Sequence, residues 1–431
     1  MGAPPFHKFR FLLFLLQVLD FYATLLYNQY IVVYVRGNLL SRIFGDDMLN
    51  KSVTVIDVRS SQLTAVVAER GVNGTFIIKS SFTSDYDGYA EGQMIDENSF
   101  SAALASVIKR TLSACGDKVR SVYVGVPGEF TRVVTTDNVI SFPSRRKVSR
   151  ADVRSLENAS VPSDIKGGRL VRSACLYYVL SDMRRVVEPA GMLTDSLRGR
   201  MCHYVCDGRY CDLAEAALAG CGIEKVTFIP AIHAEAMYLL PPEKRDEYAV
   251  LFDFGFISSS YIVACGNGIA YSQSFSLGAG HLALYLSESL DMPFDVALAV
   301  LGKVNLNSKD AAASYIEHMS DGKLYKFAVS DVKEKLREAL DGICETLEEC
   351  TRSFTEKPTD GKTLYMTGES ALAVRGAADH ISGRMVRVVA MASPQIPYYD
   401  KPSFGPLFSL IDMALSDREN TSIFRFLGIF G

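Results

Sequence analysis

The sequence predicts an α/β protein of two lobes, and three observations carry that expectation. The chain has 431 residues, more than a single core accommodates, since hydrophobic cores stop growing near roughly 250 to 300 residues. Two strand-turn-strand patterns occur far apart, and each opens on an apolar strand that ends in an aspartate, at Asp57 and at Asp253. Around them, helical periodicity alternates with short apolar runs, the pattern of helices layered on sheets.

The elements follow in order. Val53 to Asp57 and Gln62 to Glu69 read as strands joined tightly around Arg59-Ser60-Ser61, and a third strand runs from Thr75 to Ser81 after Asn73-Gly74. Residues 98–114 place Ala102, Leu104, Val107, Ile108 and Leu112 at helical spacing, with Gly116 beyond the end. Ser121 to Val126 suits a buried strand. From Gly128 to His203, β-rich runs alternate with one helix beginning near Ser149-Arg150-Ala151-Asp152, as in a small α+β unit. A helix at Cys211 to Cys221, a strand at 226–230 and a helix at 231–240 lead to Pro241-Pro242, a natural lobe boundary.

The pattern then restarts. Tyr248 to Asp253, a turn at Gly255 to Ser259, Ser260 to Ala264 and Ile269 to Ser276 form a second meander. Helices follow at 281–290, 293–302 and 330–354. The last keeps Val332, Leu336, Leu340, Ile343, Leu347, Cys350 and Phe354 on one stripe, which marks a core face.

Composition excludes several classes. With 48% hydrophobic and 22% charged residues the chain is neither disordered nor fibrous. A net charge of -4, from 45 basic and 49 acidic residues, supplies no basic field for a nucleic acid partner. The nine cysteines are irregularly spaced and suit free thiols in a reducing cytoplasm. Cys202, Cys206, Cys211 and Cys221 lack the repeated close pairs of a zinc site, and His203 and His233 sit in no ligand motif, so no metal is assigned.

The first 47 residues differ in kind. Phe11 to Val35 is long and apolar enough to cross about 30 Å of hydrocarbon, yet Gln17, Asp20, Asn28 and Gln29 interrupt it. A mid-membrane aspartate costs about 2.5 to 3.5 kcal/mol on insertion scales. Three readings stay open: a membrane-associated segment, a docked helix, or a region preceding a true start at Met48.

Two strand-turn-strand units, each with a strand-terminal aspartate, resemble the phosphate-binding turns of the actin and Hsp70 class, in which turn N–H groups face phosphate oxygens and the carboxylates hold a hydrated metal ion. Within that class, residues from about 50 to 415 resemble FtsA, a bacterial cell-division family. Arg120 to Gly128 is similar to the strand entering that family's inserted subdomain, Val148 to Val153 to the start of its helix, and Glu188 to Met192 with Cys202 to Val205 to the loop and strand leaving it. The type IV pilus protein PilM shares the insertion and is the second resemblance. The resemblance implies a two-lobed actin-like fold with an SHS2-type α+β insert. It divides the chain into an apolar extension (1–47), lobe I (48–128 and 208–246), the insert (129–207), lobe II (247–415) and a tail that is a candidate amphipathic anchor (416–431).

The same resemblance implies ATP with Mg2+ as cofactor and places Asp57, Arg59, Ser60, Ser61, Asp253, Gly255, Ser258, Ser259, Thr367 and Gly368 around it. The turns depart from the family pattern, however. Arg59 stands where the first turn has glycine, Phe256 and Ile257 bring large side chains to the second, and Ser260 replaces an aspartate. Leu298 and Leu301 take the places of a glutamate and a lysine near the ribose, and Glu369 puts a carboxylate in the adenosine motif Met366-Thr367-Gly368-Glu369. The expectation is a non-catalytic or at most weakly ATP-hydrolysing adaptor that links FtsZ-like filaments or another division protein to the membrane. It would be cytoplasmic, with peripheral attachment to the inner membrane face through the apolar end Ser422 to Gly431, and self-association is a further option. An ATPase rebuilt around Arg59, Ser258 and Ser259, and a PilM-like scaffold, are the alternatives.

Overall fold

A computed structural model describes residues 52–426 apart from 117–118 and 312–313. The extension 1–47 and the last residues of the expected anchor lie outside the described residues. Among the described residues no helix is long and apolar enough to cross a membrane.

The chain begins with β1 (Ser52–Val58), β2 (Gln62–Arg70) and β3 (Phe76–Asp85), then a small hairpin of β4 (Tyr89–Ala90) and β5 (Gln93–Met94), helix α1 (Glu97–Cys115) and β6 (Ser121–Val126). Helix α1 starts at Asp96, whose carboxylate accepts from the N–H groups of Asn98 and Ser99, and stops at Gly116 in the left-handed region, φ 72°. Its stripe Phe100, Leu104, Val107 and Ile108 is wholly buried against the sheet.

Next come β7 (Thr131–Lys147), α2 (Arg150–Ala159), β8 (Gly168–Leu180), β9 (Arg185–Val186) and β10 (Leu193–Asp207). They make a separate antiparallel sheet in the order β7-β10-β8-β9. Ser149 and Asp152 form a reciprocal capping box at the start of α2, and Arg146 holds the Asp152 carboxylate with two hydrogen bonds of 2.8 Å. One face of this sheet packs under α2 through Leu156, Tyr178, Leu180, Leu197 and Met201. From the other face Leu176, Cys202 and Tyr204 join the core of the second lobe.

Helix α3 (Gly208–Ala219), β11 (Lys225–Pro230) and α4 (Ala231–Leu239) return to the first sheet, and a single turn, α5 (Pro242–Arg245), leads out of it. Helix α3 starts earlier than the expected position 211 because the Asp207 carboxylate accepts from the Tyr210 N–H at 2.8 Å. The second half contains β12 (Ala249–Asp253), β13 (Ser259–Cys265), β14 (Gly268–Phe275), α6 (Ala279–Ser289), α7 (Phe294–Leu301), the hairpin β15 (Tyr315–Ser320) and β16 (Lys323–Ala328), α8 (Val329–Ser353), β17 (Leu364–Thr367), α9 (Ala377–Met385), β18 (Val389–Met391) and α10 (Gly405–Phe426).

The two main sheets share one topology. The first runs β3-β2-β1-β6-β11 and the second β14-β13-β12-β17-β18, each a three-strand meander continued by two parallel strands. Asp57 and Asp253 therefore occupy equivalent places near the ends of the first strands of two like-built lobes. The final helix differs from the sequence expectation in two ways. It continues without a break through position 415, and its buried residues Leu410, Ile411, Ala414 and Leu415 pack with Val53, Val55, Val66 and Ala68 of the first sheet. Such a return leaves no local sign in a sequence, because an apolar helical stripe does not say which sheet it covers.

Candidate functional site

The candidate site lies where the two meander turns face each other across the lobes. Arg59, in the β1–β2 turn, extends its guanidinium into a nest of carboxylates. Nε donates to Asp57 Oδ2 at 3.2 Å, one terminal nitrogen to Glu235 Oε1 at 3.1 Å and the other to Asp253 Oδ2 at 3.0 Å. The guanidinium spreads its donors over three nitrogens in a rigid plane, so one side chain reaches three separated carboxylates. The turn itself is closed by Arg59 N–H on the Gln62 carbonyl at 2.8 Å, and Tyr86 Oη donates to the Arg59 carbonyl at 2.6 Å.

The second turn is satisfied by side chains. Gly255 N–H donates to Ser259 Oγ at 3.2 Å, Phe256 N–H to Glu369 Oε1 at 2.9 Å, and Ile257 N–H to Ser60 Oγ at 2.9 Å. Ser60 Oγ also reaches Glu369 Oε1 at 3.4 Å. Turn amides that in a phosphate-binding turn would face an anion thus meet a carboxylate and two hydroxyls of the protein's own. Ser259 is further spent on the Leu277 carbonyl at 2.6 Å, and Ser260 on Ser274 at 2.8 Å.

Most of the residues expected at the site gather there, but their work differs. Ser61 accepts the Tyr86 N–H through its carbonyl at 3.2 Å, and Ser258 lines the narrow space beside Arg59. Thr367 Oγ1 donates to the Pro402 carbonyl at 3.1 Å and is wholly buried, so it fixes the loop that leads to α10. Gly368 has φ +105°, and a Cβ there would lie 2.4 Å from Asp253 Oδ1 and 2.5 Å from the Phe254 carbonyl oxygen, which admits only glycine. Phe256 packs on the second lobe's core and Ile257 lies toward Gly88, so the large side chains of this turn line its flanks. Arg59 and Glu369 both line the narrow space beside it. Leu298 and Leu301 likewise belong to that core rather than facing a ligand.

Sequence reasoning missed Glu235. It is 1% exposed, on α4, and is the one charged residue in the helix AIHAEAMYL. A single acid in an otherwise apolar helix was the available signal, since such a group persists in a core only with a partner.

Four carboxylates, Asp57, Glu235, Asp253 and Glu369, surround one guanidinium. Burial works against the charge of Arg59, but the attraction of Asp57, Asp253, Glu235 and Glu369 outweighs it and raises its pKa well above the ordinary value. Burial, reinforced by Asp253, pushes Glu235 well above the usual carboxylate range. Burial also raises Asp253 and Glu369, against the opposing pull of Arg59. Oδ1 of Asp57, Oε2 of Glu235 and Oδ1 of Asp253 are buried without a hydrogen-bond partner. One positive charge does not neutralise four acids, and burial favours the uncharged forms of Glu235, Asp253 and Glu369.

The space lined by Arg59, Ser60, Gly128, Asp253, Gly255, Ser258, Ser260 and Glu369 has a volume of about 10 Å³, about that of one water, against roughly 300 Å³ or more for a small-molecule pocket. Among the described residues no group of three or more histidines, cysteines and acids is placed to hold a metal ion.

Two like-built sheets, with paired turns meeting across a cleft, define the actin-like α/β class. Comparison with solved structures agrees: the PilM–PilN type IV pilus biogenesis complex aligns over 84% of this chain and 98% of that one, with a TM-score of 0.56 at 15% identity. MreB5 of Spiroplasma citri bound to ADP aligns over 86% and 98%, with a TM-score of 0.50 at 11% identity. In sequence the chain is FtsA-like. It is 22% identical over 209 residues to the cell division protein FtsA of Pseudomonas aeruginosa, covering 48% of this chain and 49% of that protein. It is 21% identical over 204 residues to FtsA of Streptococcus pneumoniae, covering 47% and 44%. The chain thus matches about half the length of these curated relatives. No family model matches it.

Proposed function

We propose that this chain is a divergent FtsA-like adaptor, a protein-interaction scaffold of a cell-division or cytoskeletal assembly, in which ATP is held weakly or not at all. The observation that supports the second half of this reading is the narrow space of about 10 Å³ lined by Arg59 and Glu369 between the two turns. The first half rests on the likeness to FtsA. In this reading 48–128 with 208–246 and 247–415 are the lobes, and 129–207 is an SHS2-type insert offering a surface for partners. The ten turn residues from Asp57 to Gly368 serve as an interlobe scaffold. The partner is an FtsZ-like filament or another division protein, and attachment to the inner membrane face is peripheral.

Calorimetric titration of the full chain with ATP and magnesium tests the nucleotide half. No saturable heat at micromolar protein is expected. Saturable micromolar binding would favour a working ATPase in which Arg59, Ser258 and Ser259 have been rebuilt into the site.

A second reading, a PilM-like scaffold of an envelope assembly, is favoured by the alignment over 98% of the PilM–PilN chain. Co-sedimentation with FtsZ polymers separates the two. An adaptor of the division type pellets with them, whereas a pilus-type scaffold stays in the supernatant and instead binds a short peptide from a membrane protein.

A further inference from the structure

We infer that Arg59 and Glu369 are a built-in occupant of the cleft, a self-supplied cation and anion that hold the two lobes together without a nucleotide. This deepens the reading of weak ATP binding and rests on it. The chemistry of the two positions is complementary to the turns. A cation is needed between Asp57 and Asp253, and the guanidinium of Arg59 donates to both, at 3.2 and 3.0 Å. An anion is needed at the amides of the second turn, and Glu369 accepts from Phe256 N–H at 2.9 Å.

The links cross between the lobes. Arg59 and Ser60 belong to the first meander, Asp253 and Ile257 to the second, and Glu369 follows β17 of the second sheet. Ser60 Oγ ties the first turn to the second, accepting from Ile257 N–H at 2.9 Å and donating to Glu369 Oε1 at 3.4 Å. Glu235, on α4 of the first lobe, completes the ring around the guanidinium at 3.1 Å. A chain with glycine at both positions would leave two acidic turns facing each other across an empty gap. Asp57 and Asp253 would then lose the cation they share, and an external cation would be needed to offset their mutual repulsion.

Hydrogen exchange of the folded full chain, read by mass spectrometry, tests this. In Arg59→Met, peptides spanning 56–62 and 253–258 are expected to exchange at least tenfold faster, while the strand peptides 63–68 and 261–264 keep their protection. No change in the turn peptides, or an equal rise through both sheets, would overturn the clamp. Should Arg59→Met not fold, Glu369→Ala and Glu369→Gln decide. Alanine removes the acceptor of the Phe256 amide and is expected to speed exchange of 253–258 tenfold, whereas glutamine keeps an acceptor oxygen and is expected to hold it within threefold. Equal behaviour of the two variants would refute the role of Glu369 as acceptor for the second turn. The wild-type titration with ATP and magnesium is read separately. Tight ATP binding with clamp-sensitive exchange overturns the functional reading alone, and absent ATP binding with unchanged exchange overturns the clamp alone.

Discussion

Replacing Arg59 by methionine removes the cation and keeps the length of the side chain. Its three carboxylate partners, at 3.2, 3.1 and 3.0 Å, have side chains only 8%, 1% and 11% exposed. Breaking a buried ion pair from one side costs about 3–5 kcal/mol, because the remaining charge stays buried and unpaired. The stranded acids escape by binding protons. Each proton held in the folded state and not in the unfolded one changes stability by about 1.4 kcal/mol per pH unit. A carboxyl whose folded pKa is raised stabilises fully below its unfolded pKa, and that contribution is lost as pH rises through the folded pKa. The loss in Arg59→Met is therefore expected to be about 3–5 kcal/mol at pH 7 and about 2–3 kcal/mol smaller at pH 5, if one extra proton is bound. Urea denaturation of wild type and variant at pH 5, 6, 7 and 8 reads this directly. A difference under about 1 kcal/mol at pH 7, or one that is equal at pH 5 and 8, would refute the reasoning.

Three other outcomes are expected. Glu235→Gln keeps the shape of the most buried acid and removes its raised pKa, so its stability should fall less steeply than wild type above pH 5, by up to about 1.4 kcal/mol per pH unit; parallel urea-derived curves would show that Glu235 carries no linked proton. Gly368→Ala forces a left-handed backbone and a Cβ 2.4 Å from Asp253 Oδ1, with an expected loss of about 2–4 kcal/mol in urea unfolding. Gly266 has φ +55°, and a Cβ there would lie 1.8 Å from the Leu176 carbonyl oxygen, at the contact between β8 and the β13–β14 turn. Gly266→Ala should loosen that contact, seen as faster exchange of the Asn267 amide that donates to the Cys175 carbonyl at 3.1 Å, without loss of protection in β1 and β6.

Much of the fold was legible in the chain. The capping pair Ser149 and Asp152, the stripe of Val332 to Cys350 and the strand-turn-strand units around Asp57 and Asp253 are local signals. Spacing and turn chemistry set them whatever the partner surface. The hairpin Tyr315–Ser320 with Lys323–Ala328 was not read as strand, since Glu317, Lys323 and Lys326 dilute its alternation and only its cross-strand pairing stabilises it. The docking of the 129–207 sheet on the second lobe through Leu176, Cys202 and Tyr204 was also invisible. An alternating strand announces that it has two faces but not what covers them.

At the site the division is the same. The residue types put an arginine at position 59 and a carboxylate at 369, and the resemblance to the FtsA family implied that both depart from its phosphate-binding turns. Only the tertiary structure decided that these two changes meet, with Arg59 among Asp57, Glu235 and Asp253 and with Glu369 on the Phe256 amide. Side-chain chemistry is written locally along the chain. The pairing of charges far apart in sequence depends on how two lobes close, and no local pattern encodes that distance.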